Sequence, residues 1–128
     1  MNLNQTNLIY SYSRKQAIED GLQVCVSEQF PNDTRMYQYP VYFTQQVWEL
    51  CQGKEVVIWD ICYMAAIKSK AQRNDSPIVE YSVIVEGASK TPDFFENTYP
   101  CYRLQAECGA KDIDDPTPVI TIMFPEER

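Results

Sequence analysis

Two spacings of apolar residues divide this chain. Through the first half they recur mainly three and four positions apart, the period of helices; from Ser76 onward they alternate, the period of half-buried strands. The strongest helical segment is predicted over Glu55 to Arg73. Val57, Ile58, Ile61 and Ala65 form one stripe, but Trp59, Cys62, Met64 and Ile67 carry apolarity nearly all round, and Asp60 is the only charge between Val56 and Ile67. Such a helix is expected to be central, or to cover a sheet on one side and a helix on another. Lys68, Lys70 and Arg73 stand at its C-terminal end, where cations oppose the helix dipole.

Before it, Leu8 to Tyr12 alternates as a short strand does, and Ser13 with Gln16 forms a Ser-x-x-Gln capping box that opens a short helix. Gly21 closes that helix, since glycine enters the left-handed conformation without strain. Leu22, Val24 and Val26 predict a second short strand. Ser27 and Glu28 predict a helical turn that Pro31 breaks, and Pro31 to Pro40 reads as an irregular connection. Thr44 caps a helix over Gln45 to Gln52 that Gly53 stops.

In the second half, Val79, Tyr81, Val83 and Val85 face one way, and so do Tyr102, Leu104, Ala106 and Cys108; Val119 to Phe124 is apolar on both faces apart from Thr121. These predict a three-stranded antiparallel sheet with Val119 to Phe124 its most protected strand. Asp93 to Asn97 is expected to form a helical turn. The predicted fold is α+β: an N-terminal short strand and helices, with one long central helix packed on the three-stranded sheet. Its 128 residues suit a single domain, residues 1–128.

Composition narrows the chemistry. Histidine is absent, which excludes serine–histidine–aspartate triads, cysteine–histidine pairs and histidine-ligated metals. No phosphate-binding glycine motif is present, and the chain has four glycines to build one. The five cysteines lack Cys-x-x-Cys spacing, so reduced, mostly buried thiols are expected, with no metal and no cofactor. The net charge of −7 opposes direct binding to nucleic acid or to an anionic membrane. No secretory signal and no apolar run of membrane-spanning length is seen, so the expected location is cytoplasmic.

The segment Ile-Tyr-Ser-Tyr-Ser-Arg-Lys-Gln-Ala-Ile-Glu-Asp-Gly at Ile9 to Gly21, continuing Leu-Gln-Val-Cys-Val-Ser-Glu, resembles the opening of an uncharacterised family of bacterial plasmid and phage accessory proteins. Tyr39 to Trp48, Ile58 to Ala65 and the terminal Pro-Val-Ile-Thr-Ile-Met-Phe-Pro-Glu-Glu at Pro118 to Glu127 fit the same family. Pro31 to Gln38 departs from it, standing where the family usually has a continuous short helix. The resemblance implies an accessory protein of a mobile element in the host bacterial cytoplasm. By analogy, small acidic proteins in that setting resemble inhibitors of host defence, of anti-CRISPR or anti-restriction type.

Two sets of residues stand out as candidates. Asp60 is a carboxylate in an apolar helix and needs a partner or a proton, because burying it unpaired costs several kcal/mol. Arg14 is the expected partner. The pair is read first as a structural link between two helices, against a pocket acid of raised pKa or a carboxylate-based enzyme using Asp60 or Glu19. The second set is the aromatic cluster of the first half, Tyr10, Tyr12, Tyr37, Tyr39, Tyr42 and Trp48, with Arg14 and Arg35 beside it. Of these, Arg14, Tyr10, Tyr12, Arg35, Tyr39 and Trp48 are the expected binding residues for a ligand or partner. Asp112, Asp114 and Asp115 form an oxygen-rich loop, read as a solvated turn in preference to a calcium site. The leading expectation is a non-enzymatic protein that binds a host protein; the alternative is one that binds or sequesters a nucleotide signal.

Overall fold

The computed structural model describes residues 13–72 and 75–128, so the predicted strand over Leu8 to Tyr12, with Tyr10 and Tyr12, lies outside the described residues, as does Arg73. In chain order the described elements are α1 (Arg14–Glu19), β1 (Gln23–Cys25), α2 (Val26–Gln29), β2 (Val41–Thr44), α3 (Gln45–Cys51), α4 (Glu55–Ala71), β3 (Ile78–Ile84), β4 (Phe94–Glu96), β5 (Tyr99–Asp112), β6 (Asp115–Met123) and a closing 3-10 turn, Pro125–Glu127.

The α+β class stands, but the sheet corrects the expectation of three antiparallel strands. Six strands pair in the order β1-β2-β6-β5-β3, with β4 on β5, and β2 runs parallel to β6. Two short strands escape a period-two search. β2 has Val41, Tyr42 and Phe43 buried in succession, so it shows no alternation. β4 has three residues and occupies the place of the expected helical turn. It returns into β5 through Asn97 and Thr98, both at positive φ, with Glu96 paired to Tyr99. β6 is flanked by β2 and β5, and its Val119 and Ile122, with Phe124 just beyond, are fully buried, as the apolar run there predicts.

One face of the sheet carries Val41, Phe43, Tyr81, Val83, Tyr102, Leu104 and Ile122, and α4 lays Ile58, Ile61, Cys62 and Ala65 against it. Burying each of the large side chains fully contributes about 1.5–3 kcal/mol. Two tyrosines tie α4 down by its carbonyls: Tyr81 donates to Ile61 O at 3.1 Å and Tyr37 to Cys62 O at 2.8 Å. The apolarity around α4 has a different outcome from the one expected. One face covers the sheet, while Val56, Trp59, Tyr63 and Ile67 on the other are exposed. No helix among the described residues is long and apolar enough to cross a membrane.

Helix α1 forms where its caps predict. Ser13 Oγ accepts the N–H of Gln16 at 3.0 Å. At the other end Gly21, at φ 75°, donates to Ile18 O, and Leu22 donates to Ala17 O, the paired bonds of a Schellman stop. Ala17 is its buried residue, so this short helix is held mainly at its ends.

Candidate functional site

The first turn of any helix leaves backbone N–H groups without intrahelical partners. In α1 they are met by one local and one distant group. Ser13 takes the third, while Asp112 Oδ1 accepts from Arg14 N at 3.1 Å and Asp112 Oδ2 from Lys15 N at 3.0 Å. Asp112 ends β5 at the tip of the β5–β6 hairpin and also accepts the N–H of Ile113 at 2.8 Å. The bonds from Ile113, Lys15 and Arg14 hold its carboxyl below the usual carboxylate range. Across the hairpin, Asp115 is held low in the same way by Thr117.

Arg14 fixes the same junction with its side chain. Nε donates to Lys111 O at 2.6 Å, Nη1 to Gln23 Oε1 at 2.7 Å and Nη2 to Ala110 O at 3.5 Å. The guanidinium carbon lies 4.4 Å from the centre of the Tyr42 ring. Arg14 therefore joins α1, β1, β2 and the hairpin, with its donors turned to the protein and one face on an aromatic ring. Tyr42 is buried opposite Cys25 in the β1–β2 ladder. Its phenol is pushed up to about 12, first by burial and then by the adjacent Cys25 thiol, against the opposing pull of Arg14.

These contacts correct the expected Arg14–Asp60 ion pair. Arg14 is engaged at the hairpin, and the ion pairs among the described residues are Lys90–Glu126 at 3.9 Å and Arg128–Glu107 at 3.4 Å. Asp60 lies half-buried on α4, its carboxyl pushed up by burial. Among the described residues of the aromatic cluster, Tyr42 meets Arg14 and the others lie apart from that contact. Arg35 and Tyr39 are exposed, Trp48 packs against the Phe30 ring at 5.8 Å, and Tyr37 reaches α4.

Beside the Arg14 junction lies an open cleft of about 490 Å³. Its apolar lining includes Ile18 and Tyr42, and its polar lining is unequal in charge: Glu19, Glu28, Asp112, Asp114 and Asp115 against Arg14, Lys15 and Lys111. Among the described residues, Arg14 is the one predicted binding residue that lines it. No arrangement of three or more carboxylates or thiols that could hold a metal ion occurs among the described residues. The sequence signals missed here are Gln23 and Asp112 as partners of Arg14, whereas Tyr42 belongs to the aromatic cluster expected beside it. The sequence reads Asp112, Asp114 and Asp115 as a solvated turn, whereas Asp112 caps α1, a contact with no local signature.

No protein-family model, curated protein or solved structure matches this chain.

Proposed function

We propose that this protein acts by binding another protein, without chemistry of its own, and that the partner presents a basic segment to the cleft beside α1. The observation that carries this reading is the composition of that cleft: an apolar floor including Ile18 and Tyr42, with five carboxylates lining it and three cations, among them Arg14 with each guanidinium nitrogen already making one bond within the protein. A lysine or arginine stem can lie along the floor while its charge meets Glu19, Glu28 or Asp114. The net charge of −7 steers a basic partner to the same protein. The side chains that would be asked to do chemistry serve the fold instead: Asp112 caps α1, Arg14 links four elements, and burial pushes the Cys51 and Cys62 thiols up.

A nucleotide signal is the weaker reading. It needs Arg14 or Arg35 inside a pocket with the tyrosines, whereas each guanidinium nitrogen of Arg14 is bonded to Lys111, Gln23 or Ala110, exposed Arg35 does not line the cleft, and phosphates would sit among carboxylates. The biological setting follows from the resemblance of the Ile9 to Gly21 segment: a mobile-element accessory protein that inhibits a host defence system by occupying one of its proteins. The test is capture from host lysate by wild type and by Glu28→Lys/Asp114→Lys, both exposed positions. A basic protein retained stoichiometrically by wild type, released by salt and lost in the double variant is the expected result. Equal retention by the variant, or a thermal shift with nucleotides in place of any protein, overturns the reading.

A further inference from the structure

Helix α4 has an outer face that the sheet does not use. Val56, Trp59, Tyr63 and Ile67 follow one another at intervals of one helical turn, so they form a continuous stripe. Val56 is 72% exposed and Ile67 44%, and the Trp59 and Tyr63 rings stack at 4.5 Å, which makes the centre of the stripe a flat aromatic surface. Scattered exposed apolar residues are ordinary; a contiguous row along a helix marks a contact surface.

We infer that this stripe is the contact between two copies of this chain, packed with their α4 helices antiparallel about a two-fold axis that passes between Trp59 and Tyr63 on the outer face. The argument is the arrangement of the stripe and of the charges at its ends. Antiparallel packing sets Val56 against the partner's Ile67 and the Trp59–Tyr63 pair against its own copy, so both apolar ends and the aromatic centre are covered together. Glu55 stands in the first turn of α4, and Lys68 and Lys70 stand in its last. The same packing brings Glu55 of each chain toward Lys70 of the other, twice by symmetry, and places each helix N-terminus beside the other's C-terminus, with Lys68 adding its charge at that end from the far flank. A parallel pair would place Glu55 on Glu55 and lysine on lysine. Asp60, half-buried on the flank of the stripe, comes to lie near the partner's Tyr63, whose hydroxyl can donate to it.

The inference is independent of the cleft, which α4 does not line. Sedimentation equilibrium of the full chain tests it. Wild type is expected to sediment as a dimer, and Val56→Ser/Trp59→Ala as a monomer with an unchanged circular dichroism spectrum, since both side chains are exposed. Charge reversal tests the orientation: Glu55→Lys alone weakens the dimer, Lys68→Glu/Lys70→Glu alone weakens it, and the triple swap restores it. A wild type that stays monomeric at its highest soluble concentration overturns the inference. A dimer that survives Val56→Ser/Trp59→Ala, or a triple swap that fails to restore association, overturns it equally.

Discussion

Asp112 caps a helix that begins ninety-eight residues before it, its Oδ1 accepting the backbone N–H of Arg14 at 3.1 Å. The bond is one of three to backbone amides, and all three favour the ionised carboxylate. Because the folded state holds this carboxyl below its unfolded value, the contribution to stability is fully present above the unfolded pKa of about 3.9 and is lost as pH falls through the lower folded value. Asp112→Asn is therefore expected to lower Tm at neutral pH and to flatten the fall of Tm with acid below about pH 4. Thermal melts of wild type and variant at stepped pH check both. A variant whose acid profile parallels wild type would show that other carboxylates govern the transition.

Arg14 and Asp60 are uncoupled in this fold, whereas Arg14 and Tyr42 touch. Arg14→Lys loses the forked donors to Lys111 and Gln23 and is expected to cost about 1–2 kcal/mol in urea denaturation. A double-mutant cycle separates the two relationships. Arg14→Lys with Asp60→Asn should be additive to within about 0.5 kcal/mol. Arg14→Ala with Tyr42→Leu should show a coupling of about 0.5–1 kcal/mol, the range of a cation over an aromatic face. The reverse ranking would restore the ion pair between α1 and α4.

How much of this was legible follows from where the information lies. The ends of α1 were legible because caps are local: Ser13 and Gly21 act within one turn of the residues they serve. The strands β3 and β5 and the length of α4 were legible because apolar periodicity persists across them, and β6 because its apolar run is unbroken apart from Thr121. β2 was not, since four residues flanked by pairing strands need no alternation. Its parallel pairing with β6 joins Val41 to Ile120, a choice made by the whole sheet. The site fared likewise. Arg14 stands out in the sequence as a cation beside the aromatic cluster and as the expected partner of Asp60, and in the fold its side chain joins α1 to the hairpin. Its partner was placed on α4 because Asp60 was the conspicuous carboxylate, while the actual partners are carbonyls, an amide and a ring that carry no charge signal.

The five cysteines divide by environment, which makes thiol labelling a direct readout of the core. Burial pushes the Cys51 thiol up to about 12 and the Cys62 thiol higher still, so neither offers thiolate at neutral pH. Cys108 is exposed and Cys25 half-buried. In native protein at neutral pH, iodoacetamide followed by mass spectrometry is expected to modify Cys108 first and Cys25 more slowly. Cys51, Cys62 and Cys101 should react only in denaturant. Fast native labelling of Cys62 would mean that the α4–sheet contact opens readily.

Thr98 is the residue whose conformation the fold most clearly imposes against its own preference. It sits at φ 72° in the Asn97–Thr98 turn of the β4–β5 hairpin, where a β-branched side chain crowds the backbone. Both turn residues must take positive φ because the two-residue loop has to match the right-handed twist of the strands it joins. Asparagine suits that region and threonine does not. Asn97–Gly is the preferred sequence for such a turn, so Thr98→Gly is expected to stabilise the protein by about 1 kcal/mol. Glycine's greater freedom in the unfolded chain reduces the gain and sets its upper limit. The change leaves the registers Phe95 to Pro100 and Glu96 to Tyr99 intact, so amide exchange along β5 should slow or stay constant. Urea denaturation of wild type and Thr98→Gly measures the difference. A loss of stability would mean that the threonine side chain contributes more in the turn than its strained backbone costs.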